Sequence, residues 1–318
     1  MNTTEKVIFE QFPYWEKAIG SNAASGGADD LLVFVGCGTS FNLALSLAAY
    51  ANSLKRRAIA VPGAEWLNRP SYFWPEWQKT HVVALSRSGE TSETVAAAKV
   101  SRAAGAFVTA VTVEPESALA KNCDQLICSP THPDEGIVMT VSASLMVLLS
   151  LQMIGQTVPA SIVASARQLA NTLDTSLPDI IEDRSHFVFL GGGPLFGIAL
   201  EGALKLMEMS QLMTQAFHPL EYRHGPISLV DEKTAVIVLY SSDQRDAEAK
   251  LVGELREKGA VVIGFGGPGD LELPVDVDLS LAGLAVLPAL QILGERAAQA
   301  RHIDTVSPRH LTKVVTLA

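Results

Sequence analysis

The chain has 318 residues, room for two domains of ordinary size, and its 48% hydrophobic and 18% charged content excludes a disordered protein. A formal net charge of −10 argues against a nucleic-acid or anionic-membrane surface, because both need clustered Lys and Arg. Any bound anion is therefore expected to be held locally.

No stretch reaches the ~18 uninterrupted apolar residues of a membrane span, and the start MNTTEKVIFEQFPYWEKAIG lacks a signal-peptide pattern. Cys37, Cys123 and Cys128 are too few and too irregular for a disulfide framework or a zinc site. A cytoplasmic protein without metal or cofactor is expected.

Residues 1 to about 22 predict one amphipathic helix, with Val7, Ile8, Phe12, Trp15 and Ile19 on one side, followed by the loose SNAASGGADD. Residues 1–29 thus form an N-terminal helix and linker. Leu31 to Val35 reads as a buried strand, then come the turn Gly36-Cys37-Gly38-Thr39-Ser40 and a helix to about Asn52. Strands at 57–62, 81–86, 107–112 and 125–128 alternate with helices near 91–104 and 114–121, and 139–154 supplies a further long helix. Such alternation indicates a parallel sheet with helices on both faces, here a first domain over 30–157. A connecting helix, Ala160 to Leu173, lies within 158–184.

The second half repeats the plan over 185–303. Strands are expected at 187–192, 234–240 and 260–265, and helices at 195–214, 244–258 and 285–303, before a tail at 304–318. Val33-Phe34-Val35-Gly36-Cys37-Gly38 recurs as Val188-Phe189-Leu190-Gly191-Gly192-Gly193, which points to a duplicated domain.

Chemistry concentrates between Val188 and Asp231. Glu201, Lys205 and Glu208 share one stripe of an otherwise apolar helix, and buried charge is expensive unless paired or used. The stripe is expected to face a cleft. His224, in Arg-His-Gly-Pro, can bring an imidazole to the same place, and the set suggests proton transfer. The plainer reading is a surface ion pair on a helix and a loop histidine.

Two strand-to-helix turns are candidate anion sites, because backbone N–H groups at a helix N-terminus point at a ligand. The first carries Thr39 and Ser40; a dinucleotide fingerprint would need glycine where Phe41 stands. The second, Ser86-Arg87-Ser88-Gly89-Glu90-Thr91, offers Ser86, Ser88 and Thr91, although Ser88 or Thr91 could equally be a helix N-cap. Together they describe a phosphate cradle of neutral donors. In the tail, Pro308 to Lys313 precedes the strand-like VVTLA and could fold back as a lid or supply an amine.

These motifs resemble the sugar isomerase (SIS) family, in particular the isomerase domain of glucosamine-6-phosphate synthase and its stand-alone relatives. The likeness rests on Cys37-Gly38-Thr39-Ser40, Ser86 to Thr91, Ala199 to Lys205 through Glu208, His224-Gly225-Pro226, and Pro308-Arg309 to Lys313. It implies two tandem SIS domains, each a flavodoxin-like or Rossmann-like three-layer sandwich. It also implies that Thr39, Ser40, Ser86, Ser88 and Thr91 bind the sugar phosphate. By the same match Glu208 shuttles a proton between C1 and C2, and His224 opens the ring from the other subunit of a homodimer. Lys313 would form a Schiff base with the ketose, with Glu201 and Lys205 in support. The chemistry suits these residue types.

Two departures stand out. No glutaminase domain with a nucleophilic cysteine fits before residue 30, where position 2 is Asn2, so glutamine-dependent synthesis is not expected. The family's V-A-S-T-K segment appears as Ile137-Val138-Met139-Thr140-Val141, without the lysine. The expected activity is that of a phosphosugar isomerase acting on an amino-sugar 6-phosphate, with glucosamine-6-phosphate deaminase favoured. A deglycase of phosphorylated sugar–amine adducts and a non-catalytic phosphosugar-sensing module are the alternatives.

Overall fold

The computed structural model describes residues 1–21, 30–73 and 75–316, so the expected linker at 22–29 lies outside the described residues, as do Trp74, Leu317 and Ala318. The single N-terminal helix expected from the apolar pattern is two helices, α1 (Thr3–Phe9) and α2 (Phe12–Ala18). Pro13 sits in the first turn of α2, where its missing N–H costs nothing and a new helix starts readily. The break also divides the chain between two compact units: Met1–Phe9 with Ser161–Arg309, and Glu10–Ala160 with His310–Ala318.

The unit built on Glu10–Ala160 contains α2, β1 (Leu31–Gly36), α3 (Thr39–Ser53), β2 (Ala58–Pro62), α4 (Gly63–Asn68), β3 (Thr80–Leu85), α5 (Ser92–Ala103), β4 (Phe107–Thr112), β5 (Gln125–Cys128) and α6 (Val141–Met153). Its strands pair in parallel in the order β2-β1-β3-β4-β5, with Val33 opposite Ile59 on one side and Val82 on the other. Both faces of the sheet are covered, so the strands are runs of β-branched residues without alternation. One face packs Val33, Val35, Val82 and Val108 against Trp66 of α4 and Ala97 and Ala98 of α5. Every residue of α6 is buried, as its all-round apolar sequence requires, and Trp15 of α2 donates to Ser144 Oγ on it at 2.8 Å.

The other unit adds α7 (Ser161–Ser176), α8 (Pro178–Ile181), β6 (His186–Gly191), α9 (Pro194–Ser210), β7 (Met213–Phe217), β8 (Thr234–Leu239), α10 (Arg245–Glu257), β9 (Val261–Phe265), β10 (Leu271–Leu273) and α11 (Leu279–Ala300). The order β10-β9-β8-β6-β7 matches the first sheet strand for strand, so the duplication seen in the letters is a duplication of topology. Each unit is an α/β fold on a parallel five-stranded sheet. α11 is long and apolar enough to cross a membrane, but 94% of its apolar window is buried, as a core helix should be. On its polar edge Arg296 joins Glu5 of α1 at 2.7 Å and Asp174 of α7 at 2.5 Å.

Four further segments differ from the sequence expectation. Residues 114–121 are turns with one 3-10 turn at Ala120–Asn122, because their amides are drawn to the 86–91 loop. Leu119 N donates to Gly89 O and Ala118 N to Glu90 Oε1. The helix expected to reach 214 stops at Ser210 with Gln211 in the left-handed region, and Met213–Phe217 becomes the edge strand β7. The helix expected over 285–303 begins at Leu279 and carries Pro288 inside it. The strand-like tail forms no strand over 314–316.

Candidate active site

In the first sheet β1 leads to β2 on one side and β3 leads to β4 on the other. The loops after β1 and β3 therefore diverge at the carboxyl edge, the place where open α/β sheets hold ligands. The predicted hydroxyls lie in these two loops. Thr39 and Ser40 are buried in the first turn of α3, which Gly38 enters at φ 56°, ψ −126°. No side chain tolerates that conformation without strain. Across the divergence Ser86 is buried, contacts Thr91 Oγ1 at 3.3 Å and accepts from Gly89 N at 3.1 Å. Ser88 accepts from Glu90 N at 3.2 Å, and Thr91 is the N-cap of α5. Next to them, burial pushes the Cys37 thiol up, leaving it a spectator at neutral pH.

From His310 on, the tail belongs to the same unit. Lys313 Nζ donates to the Glu135 backbone oxygen at 3.1 Å, and Lys313 O accepts from Arg87 Nη2 at 3.0 Å. Ser88 and Lys313 line one cavity of about 360 Å³ together with Glu90, Glu114, Glu116 and Glu135. A predicted phosphate residue and the predicted amine thus reach one cavity. Val141, where the family lysine was missed, is the buried first residue of α6. Two side chains that organise this region, Arg87 and Glu135, were not among the candidates from sequence. Glu135 caps α6 from six residues upstream, its Oε1 accepting from the amides of Thr140 and Ser142 at 2.6 and 3.0 Å. Its signal was an acidic residue just before a helix N-terminus.

The charged stripe lies on α9 in the other unit. Glu201 and Lys205 are fully buried and Glu208 partly so. Lys205 Nζ sits 3.6 Å from Glu201 Oε1 and is bonded to Glu208 Oε2, so one ammonium links two carboxylates. A surface pair is thereby excluded, and burial of the ammonium is compensated from both sides. His224 is on an exposed loop held at both flanks. Tyr222 is buried, which pushes its hydroxyl up to about 12, and Arg223 makes a two-pronged bond to Glu254 of α10 at 2.9 and 2.8 Å. Gly225 then turns the chain at φ 126°. The stripe is assembled within one unit, and the cradle with the tail lysine within the other. The imidazole makes no hydrogen bond among the described residues.

The second sheet has the same divergence between the loops after β6 and β8. Gly193 repeats Gly38, at φ 54°, ψ −127°. By strand register and helix start, Pro194, Leu195, Tyr240 and Gln244 stand where the first repeat has Thr39, Ser40, Ser86 and Thr91. The loop after β8 keeps the hydroxyls of Ser241 and Ser242, and the Glu248 carboxylate reaches in from α10. It accepts from Ser241 N at 2.8 Å and Ser241 Oγ at 3.0 Å, and a side-chain carbon at Gly192 would lie 3.7 Å from its Oε1. Burial pushes this carboxyl above the usual range.

Residues 29–154 and 180–270 match the model of the SIS domain. The crystal structure of glucosamine-6-phosphate deaminase from Thermotoga maritima has a TM-score of 0.86 at 32% identity, covering 99% of this chain and 100% of that one. The tagatose-6-phosphate ketose/aldose isomerase of Escherichia coli shares the fold at a TM-score of 0.79 and 23% identity, covering 95% and 93%. Glutamine–fructose-6-phosphate aminotransferase (isomerizing) of Mycobacterium leprae is 30% identical over 91% of this chain and 51% of its own length. The chain spans about half the length of the curated relatives it matches. It belongs to the SIS domain family.

Proposed function

We propose that this protein is an isomerising glucosamine-6-phosphate deaminase. The observation that carries the reading is the buried Glu201–Lys205–Glu208 array, a base held in register by an ammonium, in a chain that also carries a hydroxyl cradle and a tail lysine. The full-length likeness to the Thermotoga maritima deaminase supports the amino sugar as substrate. Thr39, Ser40, Ser86, Ser88 and Thr91 take the phosphate, with donated hydrogen bonds replacing fixed cations. His224 moves the proton that opens the pyranose. Glu208 removes the proton from C2 of the open aldose while O1 takes up a proton from solvent, giving an enolamine; Glu208 then returns its proton to C1, giving a C2 iminium that loses an N–H proton to solvent to become the C2 imine. The Lys313 amine exchanges with that imine and releases ammonia; water then cleaves the lysine adduct to the ketose 6-phosphate.

The enzyme acts as a homodimer with His224 lent by the partner subunit. Four apolar side chains from α9 to just beyond the His224 loop, Met207, Met213, Leu220 and Leu229, are 38–82% exposed and support such an interface. Mixing Glu208→Gln and His224→Ala protomers restores turnover if the histidine crosses; no recovery removes that assignment.

The purified protein incubated with glucosamine 6-phosphate is expected to yield ammonia and fructose 6-phosphate in equal amounts, and absence of both sinks the reading. Galactosamine, fructose and fructosamine 6-phosphates complete the panel. The cavity at Ser88 and Lys313, lined by Glu90, Glu114 and Glu116, favours a second reading, a deglycase for cationic sugar–amine adducts. Preferential turnover of fructosamine 6-phosphate would select it.

A further inference from the structure

We infer that Arg87 is a positioning residue that ties the tail lysine to the phosphate cradle. It stands between Ser86 and Ser88, yet its guanidinium turns inward and is only 6% exposed. Its backbone is fixed first: Arg87 O accepts from Thr112 Oγ1 at 3.0 Å and from Val113 N at 3.3 Å, so the residue hangs from the end of β4. The fork then spans two segments distant in sequence, Nη1 donating to Gly136 O at 2.9 Å and Nη2 to Lys313 O at 3.0 Å. Lys313 Nζ in turn donates to Glu135 O, the neighbouring carbonyl. One guanidinium thus holds both the tail and the loop on which the tail amine rests.

The geometry needs arginine. A planar fork bonds two carbonyls in fixed directions, whereas a lysine ammonium is a single point on a flexible stem. Burying a cation is costly, and the return is placement: the Lys313 main chain is pinned by the residue between the two serines, beside the cavity that Ser88 lines. The residue between the two serines is thereby the direct link from the 86–91 loop to the tail. This role rests on the reading of Lys313 as the reacting amine.

The test uses the full chain with Arg87→Ala, Arg87→Lys and Lys313→Ala. Borohydride trapping with fructose 6-phosphate, mapped by mass spectrometry, reads the amine; hydrogen exchange of the 310–316 amides reads the tail; inorganic phosphate titration reads the cradle. Arg87→Ala is expected to slow trapping at Lys313 at least tenfold and to speed tail exchange, with phosphate affinity within twofold of the parent. Guanidinium at millimolar concentration is expected to restore trapping in Arg87→Ala, an effect that general loosening of the fold would not show, and Arg87→Lys is expected to stay impaired. Tail exchange unchanged in Arg87→Ala overturns the inference, as does a loss of phosphate affinity that parallels the loss of trapping. If the parent itself traps nothing at Lys313, the chemistry assigned to that lysine fails, and tail exchange alone decides whether Arg87 positions the tail.

Discussion

The two repeats share strand order, glycine turn and helix placement, yet they treat the same spot oppositely. In the first, the diverging loops present Thr39, Ser40, Ser86 and Thr91; in the second, the corresponding residues are Pro194, Leu195, Tyr240 and Gln244, and Glu248 lies against the loops. A carboxylate bonded to a backbone amide and a hydroxyl is itself the anion such a turn receives. The second repeat thus fills its turn with its own carboxylate, whereas the proposed function leaves the equivalent turn of the first repeat to the sugar phosphate. On that proposal the duplicated scaffold carries two different tasks, with the charged stripe on the first helix of the second repeat.

The sharpest way to break this division is to strike the working group of one repeat and read the other. Glu208→Gln is expected to lower turnover of glucosamine 6-phosphate by about 10²–10⁴-fold, the usual range for loss of an acid–base group. Inorganic phosphate should still saturate the first cradle, and unchanged turnover would remove Glu208 from the mechanism.

Acid should separate the repeats next. His81 on β3 is fully buried with Nε2 2.7 Å from Thr109 Oγ1, and its register partner in the second repeat is Ala235. Burial first, then the nearby Arg56 charge, lowers His81 to about 4. Between the ordinary histidine value of ~6.5 and about 4, the unfolded chain takes up a proton that the folded chain refuses. Stability present above pH ~6.5 is thus lost as the pH falls, by up to about 3 kcal/mol. Denaturant titrations across that window should show the slope in the parent and its loss in His81→Ala.

A third comparison uses the shared turn. Gly38→Ala and Gly193→Ala each place a side chain at positive φ and are expected to cost ~1–3 kcal/mol in thermal or denaturant unfolding. Only Gly38→Ala should also weaken phosphate binding; equal weakening by both would mean that the second loop touches ligand. The smallest effect is a gain. Glu248→Ala removes the internal carboxylate and should add a weak second phosphate site, visible as a rise in stoichiometry from one to two per chain by calorimetry or phosphorus NMR. No added site would mean that the second turn has lost its anion geometry altogether.

The order of helices and strands, the duplication and the clustering of hydroxyls and charges were legible in the sequence, because they rest on local patterns. Strands buried on both faces are continuous β-branched runs, a strand-to-helix glycine turn repeats in letters, and charges four and seven residues apart share a helical stripe. Edge elements such as Met213–Phe217 and Leu271–Leu273 were not legible, since short strands are specified by the neighbour they pair with. Nor was the fate of 114–121, whose amides are claimed by Gly89 and Glu90 from another loop.

Local pattern in the sequence supplied the candidates for the chemistry proposed here: Glu201, Lys205, Glu208, His224, Lys313 and the five hydroxyls. Only the folded chain shows that Lys205 is shared between one fully buried and one partly buried carboxylate, that Arg87 grips the tail, and that Glu248 occupies the second turn. The physical reason is range. A stripe or a turn is written within a few residues, whereas a buried charge is decided by whichever distant group arrives to compensate it.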